Sequence, residues 1–150
     1  MRYWLMKSEP SEVSIDDLES MKTVPWFGVR NYQARNFMRD QMRVGDGVFF
    51  YHSSCETPGI AGIAEVCKPA YPDGTQFEEG KYFDPKATRE NPRWYNVDVK
   101  FLRKTPLIPL SELRRHPELS NMRILQKGNR LSITPVDPQE WDYINRVFLG

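Results

Sequence analysis

Residues 45–66 (GDGVFFYHSSCETPGIAGIAEV) decide the fold. Gly45-Asp46-Gly47 ends a predicted helix, because glycine favours helix ends and turns. The unbroken apolar run Val48–Tyr51 then predicts a central strand. Thr57-Pro58-Gly59 predicts a turn, and Ile60–Val66 predicts the strand that returns beside the first. The stretch therefore predicts two neighbouring strands in the middle of a sheet.

The residues before this stretch predict one strand and two helices. Arg2–Met6 is rich in aromatic and apolar residues, which is typical of a strand. Ser14 begins a capping-box pattern, so we expect a short helix over residues 15–20. Asn31 can cap a second helix, in which apolar residues recur at helical spacing to about residue 42.

The residues after it predict a long loop, two strands and two helices. Pro69–Pro92 has weak periodicity and predicts an ordered loop with one short strand or helical turn, of a kind that often carries function. Trp94–Leu102 alternates and predicts a strand, Leu110–Arg115 a short helix, and Arg130–Val136 the last strand. Asp137–Glu140 has the residues of a helix start. Strands with a few helices around them indicate a small barrel or curved sheet in an α+β domain.

Composition fits one domain over residues 1–150 and disfavours a protein that holds nucleic acid mainly by its phosphates. The chain has 150 residues and a formal net charge of +1, whereas proteins that bind mainly to phosphates are usually much more basic. Aromatic residues make up 13% of the chain, which is enough for a core and for a base-stacking surface. Any nucleic-acid role must therefore rest on a local site.

Cysteine usage and hydropathy bear on compartment and cofactors. Cys55 and Cys67 form no CxxC pair and, with two histidines, give no metal-ligand spacing. We expect free thiols in a reducing cytoplasm, with no metal and no cofactor. The apolar run at the N-terminus is too short for a signal peptide, and no segment approaches the roughly 20 apolar residues of a membrane span. We expect a cytoplasmic monomer without membrane contact.

The sequence gives little support to catalysis. A nucleophilic triad needs a histidine near its nucleophile, and the chain has only His52 and His116. His116 precedes Pro117 at a predicted helix end, where a surface histidine is the ordinary case. His52 neighbours Ser53 and Cys55, but no G-x-S-x-G elbow is present. A hydrogen-bond donor in a pocket wall is therefore favoured over a catalytic base, and we expect no enzyme activity.

The segment Trp26–Gln33 (WFGVRNYQ) combines an aromatic ring, a glycine, an arginine and an amide at the start of a helix. Free backbone N–H groups and an aromatic face can hold a base, and Gly28 would let the backbone approach a ligand closely. The same residues also fit a capped helix whose aromatic side chains belong to the core. Glu9 also has two possible roles. Its carboxylate could accept a hydrogen bond from the exocyclic amine of cytosine, or Glu9 could be a residue of a surface turn.

Ordered blocks along nearly the whole chain resemble the EVE domain family. The blocks are Tyr3–Pro10 (YWLMKSEP), Trp26–Asn36 (WFGVRNYQARN), Gly45-Asp46, Phe49–Ser53 (FFYHS), Gly59–Val66, Tyr71–Asp73, Asn91–Trp94 and Arg130–Ser132. Such an ordered set is far more specific than any one short motif.

The resemblance implies an α+β, PUA-like fold, which is a small curved β-barrel flanked by several short helices. EVE domains are similar to YTH domains, which read methylated adenine in RNA through an aromatic cage, and the EVE family is associated with modified cytosine in DNA. We therefore expect a non-enzymatic reader of DNA or RNA, with a separate effector protein as partner. It would hold a flipped-out base, such as 5-methylcytosine, in an aromatic pocket.

The resemblance also implies a set of ligand-binding residues, carried over from the matching blocks. They are Lys7, Ser8, Glu9, Trp26, Gly28, Val29, Arg30, Asn31, Tyr51, His52, Ser53, Arg130 and Ser132.

Three other classes of function compete with the reader. The first is a small-molecule or nucleotide-binding domain that uses the same pocket. The second is a nuclease or another hydrolase that works through His52 and nearby carboxylates. The third is a protein-interaction module, which a shallow and uncharged pocket would favour.

Overall fold

A six-stranded mixed sheet forms the centre of the protein, as described for residues 1–149 by a computed structural model. The strands are β1 (Tyr3–Ser8), β2 (Thr23–Pro25), β3 (Gly47–His52), β4 (Gly59–Pro72), β5 (Tyr95–Pro109) and β6 (Ile133–Val136). Their order across the sheet is β2-β5-β4-β3-β1-β6. β1 and β3 run parallel, and the other neighbouring pairs are antiparallel. The predicted central strand and its returning partner are confirmed as β3 and β4.

Short helices flank this sheet. They are α1 (Ile15–Met21), α2 (Tyr32–Asn36), α3 (Leu110–Leu113) and α4 (Pro138–Phe148). Ser14 caps α1 and Asn31 caps α2, as predicted. The second predicted helix is not uniform, because a π-helical turn covers Phe37–Gln41 and ends with a bond from Met42 N–H to Phe37 O. In the described part of the chain, no helix has the length and apolar character needed to cross a bilayer.

The sheet is buried on both faces at its centre. Along β3, Val48 and Phe50 pack into one apolar cluster, whereas Phe49 and Tyr51 pack into the other. β1 alternates between the same two clusters. Successive side chains point to opposite faces of a strand, so an unbroken apolar run is what a strand covered on both faces requires.

The implied barrel is not closed. β2 and β6 are the two edges of the sheet and do not pair with each other within residues 1–149. β2 has three residues and ends at Pro25. β6 also begins later than predicted, because residues 130–132 form a local turn in which Asn129 Oδ1 accepts a hydrogen bond from Leu131 N–H at 3.0 Å.

The long loop predicted over Pro69–Pro92, with one short strand or helical turn, contains the end of a strand and a helical turn. β4 continues into it, and a 3₁₀ turn covers Gly74–Phe77. The buried amide of Gln76 organises the rest. It donates to Asp73 O and Trp94 O, both at 2.8 Å, and accepts from Trp94 N–H at 2.9 Å. We call residues 73–94 the 73–94 loop.

Candidate functional site

Several chain segments meet where the central strands of the sheet end. β1 and β3 are parallel and in register up to the pair Ser8–His52, so both strands end on the same side of the sheet. β6 is antiparallel to β1, so the residues before it return to this side, where Lys7 N–H donates to Ser132 O at 2.8 Å. A pocket of about 500 Å³ opens there, which is within the range of small-ligand sites.

Most of the predicted site residues line this pocket. They are Lys7, Ser8, Glu9, Trp26, Gly28, Val29, Arg30, Ser53, Arg130 and Ser132. The pocket also contains side chains outside the predicted set, which are Glu12, Val13, Val24, Pro25, Phe27, Ser54, Lys81 and Tyr82. Lys81 and Tyr82 belong to the 73–94 loop. The sequence signal that could have indicated them was a long loop with weak periodicity, because such loops often carry function.

Three predicted residues do not line the pocket. Asn31 Oδ1 accepts a hydrogen bond from Ala34 N–H at 3.0 Å and caps α2. Tyr51 is buried in the second apolar cluster. His52 Nε2 accepts a hydrogen bond from Ile15 N–H at 3.1 Å at the start of α1. The pocket-wall donor expected of His52 is therefore wrong for this atom, which is an acceptor in a helix cap.

Aromatic rings form one side of the pocket. Trp26 is 7% exposed and meets Phe50 edge-on, with ring centroids 5.5 Å apart. Phe27 is 39% exposed and meets Tyr82 edge-on at 5.7 Å. The two interpretations of this segment are not exclusive, because Trp26 belongs to the core and also lines the pocket.

Gly28 is required by the protein's own packing. Its φ is +83°, in the left-handed region, and a Cβ built there would lie 2.8 Å from ring carbons of Tyr82. The Tyr82 ring fills the space on this side of Gly28, whose backbone also lines the pocket. The close approach of a ligand to this backbone stays a prediction. A glycine fits here because any side chain would displace the Tyr82 ring and strain the backbone.

Asp73 and Arg30 join the 73–94 loop to the Trp26–Arg30 segment. The Asp73 carboxylate is fully buried and accepts hydrogen bonds from Gly28 N–H at 2.8 Å and Arg30 Nη1 at 3.2 Å. Arg30 Nη2 donates to Tyr82 O at 2.7 Å and to Thr75 Oγ1 at 3.0 Å. Burial would raise the pKa of Asp73, but the bonds from Thr75, Gly28 and Arg30 outweigh it and lower this pKa. Arg30 is thus occupied in holding the pocket wall.

The charged side chains of the pocket differ in whether they have an ion-pair partner. Lys7 is half-buried, and burial lowers its pKa. Its ammonium has no acidic partner within residues 1–149. Glu12 is engaged, because it accepts from Lys81 Nζ and from the Tyr82 hydroxyl, both at 2.9 Å, and the bond from Lys81 lowers its pKa. Glu9 is exposed at the rim.

We expect acidification to weaken the cap of α1, because His52 Nε2 can accept from Ile15 N–H only while the imidazole is neutral. Burial lowers the pKa of His52 from its ordinary value of 6.5. The stabilisation is therefore fully present above 6.5 and is lost as the pH falls through the lowered pKa. Urea unfolding from about pH 7.5 to about pH 5 measures this, with a loss of up to about 1 kcal/mol. His52→Gln keeps an acceptor and cannot titrate, so a pH dependence equal to that of the native protein would contradict the role.

Within residues 1–149, no group of histidine, cysteine, aspartate and glutamate side chains is arranged to hold a metal ion. Cys55 and Cys67 are free thiols. The polar side chains that line the pocket are lysines, arginines, glutamates, serines and the Tyr82 hydroxyl.

The protein is a small α+β domain with an open sheet and an aromatic-lined pocket where its parallel strands end. The chain belongs to the EVE domain family, whose sequence profile matches residues 2–147. The resemblance read from the ordered sequence blocks is thus confirmed.

The chain is similar to longer proteins and to solved structures from distant organisms. It is 44% identical to human thymocyte nuclear protein 1, over 95% of this chain and 72% of that protein. A hypothetical protein from Leishmania major has 50% identity and a TM-score of 0.94, and the match covers 99% of this chain and 95% of that one. The human THYN1 protein, solved in complex with 5-methylcytosine-containing DNA, has 43% identity and a TM-score of 0.91, with 100% and 99% of the two chains covered.

The relatives do not support the expected cytoplasmic location. Proteins similar to this chain in human, chicken and mouse are called nuclear proteins. Free cysteines could not have separated the two compartments, because disulfides are rare in the nucleus as well as in the cytosol.

Proposed function

We propose that the protein is a non-enzymatic reader of modified cytosine in nucleic acid, and that it holds one flipped-out base in this pocket. The observation that carries the proposal is the pocket, which combines aromatic rings, an apolar wall and unpaired polar groups. The DNA complex of the human relative, which shares the fold over the whole chain, supports it. We call this pocket the base pocket.

Stacking and methyl burial supply the affinity in this proposal. Moving a base out of a duplex costs a few kcal/mol, and stacking on an aromatic side chain returns about 1–3 kcal/mol. Trp26 and Phe27 present the rings. Val13, Val24 and Val29 form apolar surface around them, where a methyl group on the cytosine ring would gain about 0.8 kcal/mol by burial.

The polar groups of the base pocket match the edge of cytosine. The free ammonium of Lys7 would donate to a ring carbonyl, and the carboxylate of Glu9 would accept from the exocyclic amine. Ser132 lies beside Lys7, whose N–H donates to Ser132 O, and it also lines the base pocket. Ser8 contributes less, because its hydroxyl donates to Val13 O at 2.6 Å.

Matched oligonucleotides test the proposal directly. We expect DNA with one 5-methylcytosine to bind at least about fourfold more tightly than the unmodified DNA, which is the ratio given by about 0.8 kcal/mol. Fluorescence anisotropy with labelled single strands and duplexes, and with the RNA equivalents, would measure it. Equal affinity for modified and unmodified strands of every kind would overturn the proposal.

A small-molecule or nucleotide-binding domain is the second candidate, because the base pocket is large enough for a free nucleoside. Calorimetry with free 5-methyl-2′-deoxycytidine separates the two. Tight binding of the nucleoside without any gain for the oligonucleotide would favour the second candidate. A hydrolase that works through His52 is disfavoured, because its Nε2 caps α1 and the residue does not line the pocket.

The proposed reader contains no second site for a downstream reaction among the groups described above. A separate effector protein would therefore act on the bound nucleic acid, with this domain as the monomeric recognition unit. Sedimentation of the protein alone would give its oligomeric state. Sedimentation of a mixture with a candidate effector, with and without a methylated duplex, would show whether the effector joins the protein–DNA complex.

A further inference from the structure

A second cavity of about 550 Å³ adjoins the base pocket on the side of α3 and residues 122–129. Lys7, Arg114 and Lys127 line it, and no aspartate or glutamate does. Within residues 1–149, neither Arg114 nor Lys127 forms an ion pair with a carboxylate. In a chain whose net charge is only +1, this is a local concentration of uncompensated positive charge.

The wall that carries Lys127 is held in place by side-chain amides. Gln126 Nε2 donates to Ser120 O at 3.0 Å and to Met122 O at 3.1 Å. Asn129 Nδ2 donates to Arg123 O at 2.7 Å. These bonds close the turn around Lys127, so the ammonium projects from an organised loop and the cavity is a preformed feature.

The two cavities meet at shared residues. Lys7, Ser53 and Ser54 line both of them. A base held in the first cavity is covalently attached through its sugar to the phosphates on its 5′ and 3′ sides, and these phosphates must lie beside the mouth of the base pocket. The base pocket has cations of its own, but Arg30 pairs with Asp73 and Lys81 pairs with Glu12. Glu9 adds a carboxylate at the rim of this pocket, which Arg130 also lines. The second cavity has cations and no acid, so an anion is favoured on that side.

We propose that the second cavity binds a backbone phosphodiester group next to the recognised base, through Arg114 and Lys127, with Lys7 at its boundary with the base pocket. The proposal rests on the proposed function for the identity of its ligand. The covalent link between base and phosphate favours this ligand over an acidic peptide. The site supplies affinity that does not depend on the base, so recognition of modification and attachment to the backbone are separate tasks of two adjoining cavities.

The double variant Arg114→Gln/Lys127→Gln tests the site without touching a residue that lines the base pocket. Both side chains are exposed, so the fold should persist, as melting curves would show. The matched control is Arg103→Gln/Arg146→Gln, which removes two positive charges at residues that line neither cavity. Affinities for methylated and unmethylated oligonucleotides would be measured at several salt concentrations.

We expect the double variant to lose about tenfold in affinity for both oligonucleotides at low salt. The negative slope of log K against log salt should become shallower by about 1.5. The ratio between methylated and unmethylated affinities and the affinity for the free nucleoside should stay unchanged. The control should change all of these little. Equal slopes in the double variant and the control would overturn the phosphate site.

The outcomes for the two proposals are distinct. Suppose the native protein binds methylated and unmethylated oligonucleotides equally, and the double variant still has the shallower salt dependence. This result would overturn the proposed function and retain a phosphate site. A further arm compares competition by inorganic phosphate and by chloride at equal ionic strength. Strong competition by phosphate alone, without an effect of the double variant on oligonucleotide binding, would identify a free-anion site and overturn the backbone proposal.

Discussion

Asp73→Ala should lower the free energy of unfolding by about 3 kcal/mol, measured by urea titration. The carboxylate is fully buried and accepts from Gly28 N–H, Thr75 N–H and Arg30. Its removal leaves these donors without their partner in a region that water reaches poorly, which costs more than the loss of one surface bond. The same variant should weaken oligonucleotide binding, because the Trp26–Arg30 wall loses its attachment to the 73–94 loop.

Asp40→Ala is the matched control for this variant. Asp40 also pairs with an arginine, since Arg39 Nε donates to it at 2.9 Å, but both side chains are well exposed. Surface pairs of this kind contribute little, so stability should change little. Equal losses in the two variants would contradict the structural role of Asp73.

The contribution of Asp73 should also depend on pH. Its pKa is lowered from the ordinary 3.8, so its stabilisation is present above 3.8 and is lost as the pH falls through the lowered value. Asp73→Asn cannot titrate and should flatten this part of the acid unfolding curve. An unchanged curve would show that the carboxylate is not the group responsible.

Local patterns predicted the elements of the fold well. The run Val48–Tyr51 gave the buried central strand, and Ser14 and Asn31 gave two helix starts, because each signal acts over a few residues. The ends of β4 and β5 were predicted less well from the sequence, since both strands continue past their predicted ends. Their length depends on long-range pairing with each other, which no local pattern encodes.

The site shows the same limit. Sequence blocks gave Lys7, Trp26 and Ser132, because the resemblance carried their positions. They did not give Tyr82, whose ring fills the space over Gly28 from far along the chain. They also assigned Tyr51 and His52 to the pocket, although Tyr51 packs in the second apolar cluster and His52 caps α1. Contacts across the fold, and the direction of each side chain, decide which residues of a matching block reach the ligand.

The largest effect on recognition is expected at Trp26. Trp26→Leu should weaken binding of the methylated oligonucleotide by more than about tenfold, since stacking on an aromatic ring contributes about 1–3 kcal/mol. The structure changes how this must be tested, because Trp26 is 7% exposed and packs against Phe50. Truncation to alanine would also open a cavity costing about 3–5 kcal/mol, and the loss of binding could then come from unfolding.

Trp26→Phe is the matched variant that separates stacking from packing. Leucine and phenylalanine both shorten the side chain and both loosen its contact with Phe50, but only phenylalanine keeps an aromatic face. We expect Trp26→Phe to retain affinity within about threefold and Trp26→Leu to lose it, at similar melting temperatures. If both bind equally well, Trp26 is a core residue only. The exposed ring of Phe27 would then be the stacking surface, and Phe27→Leu would show the loss instead.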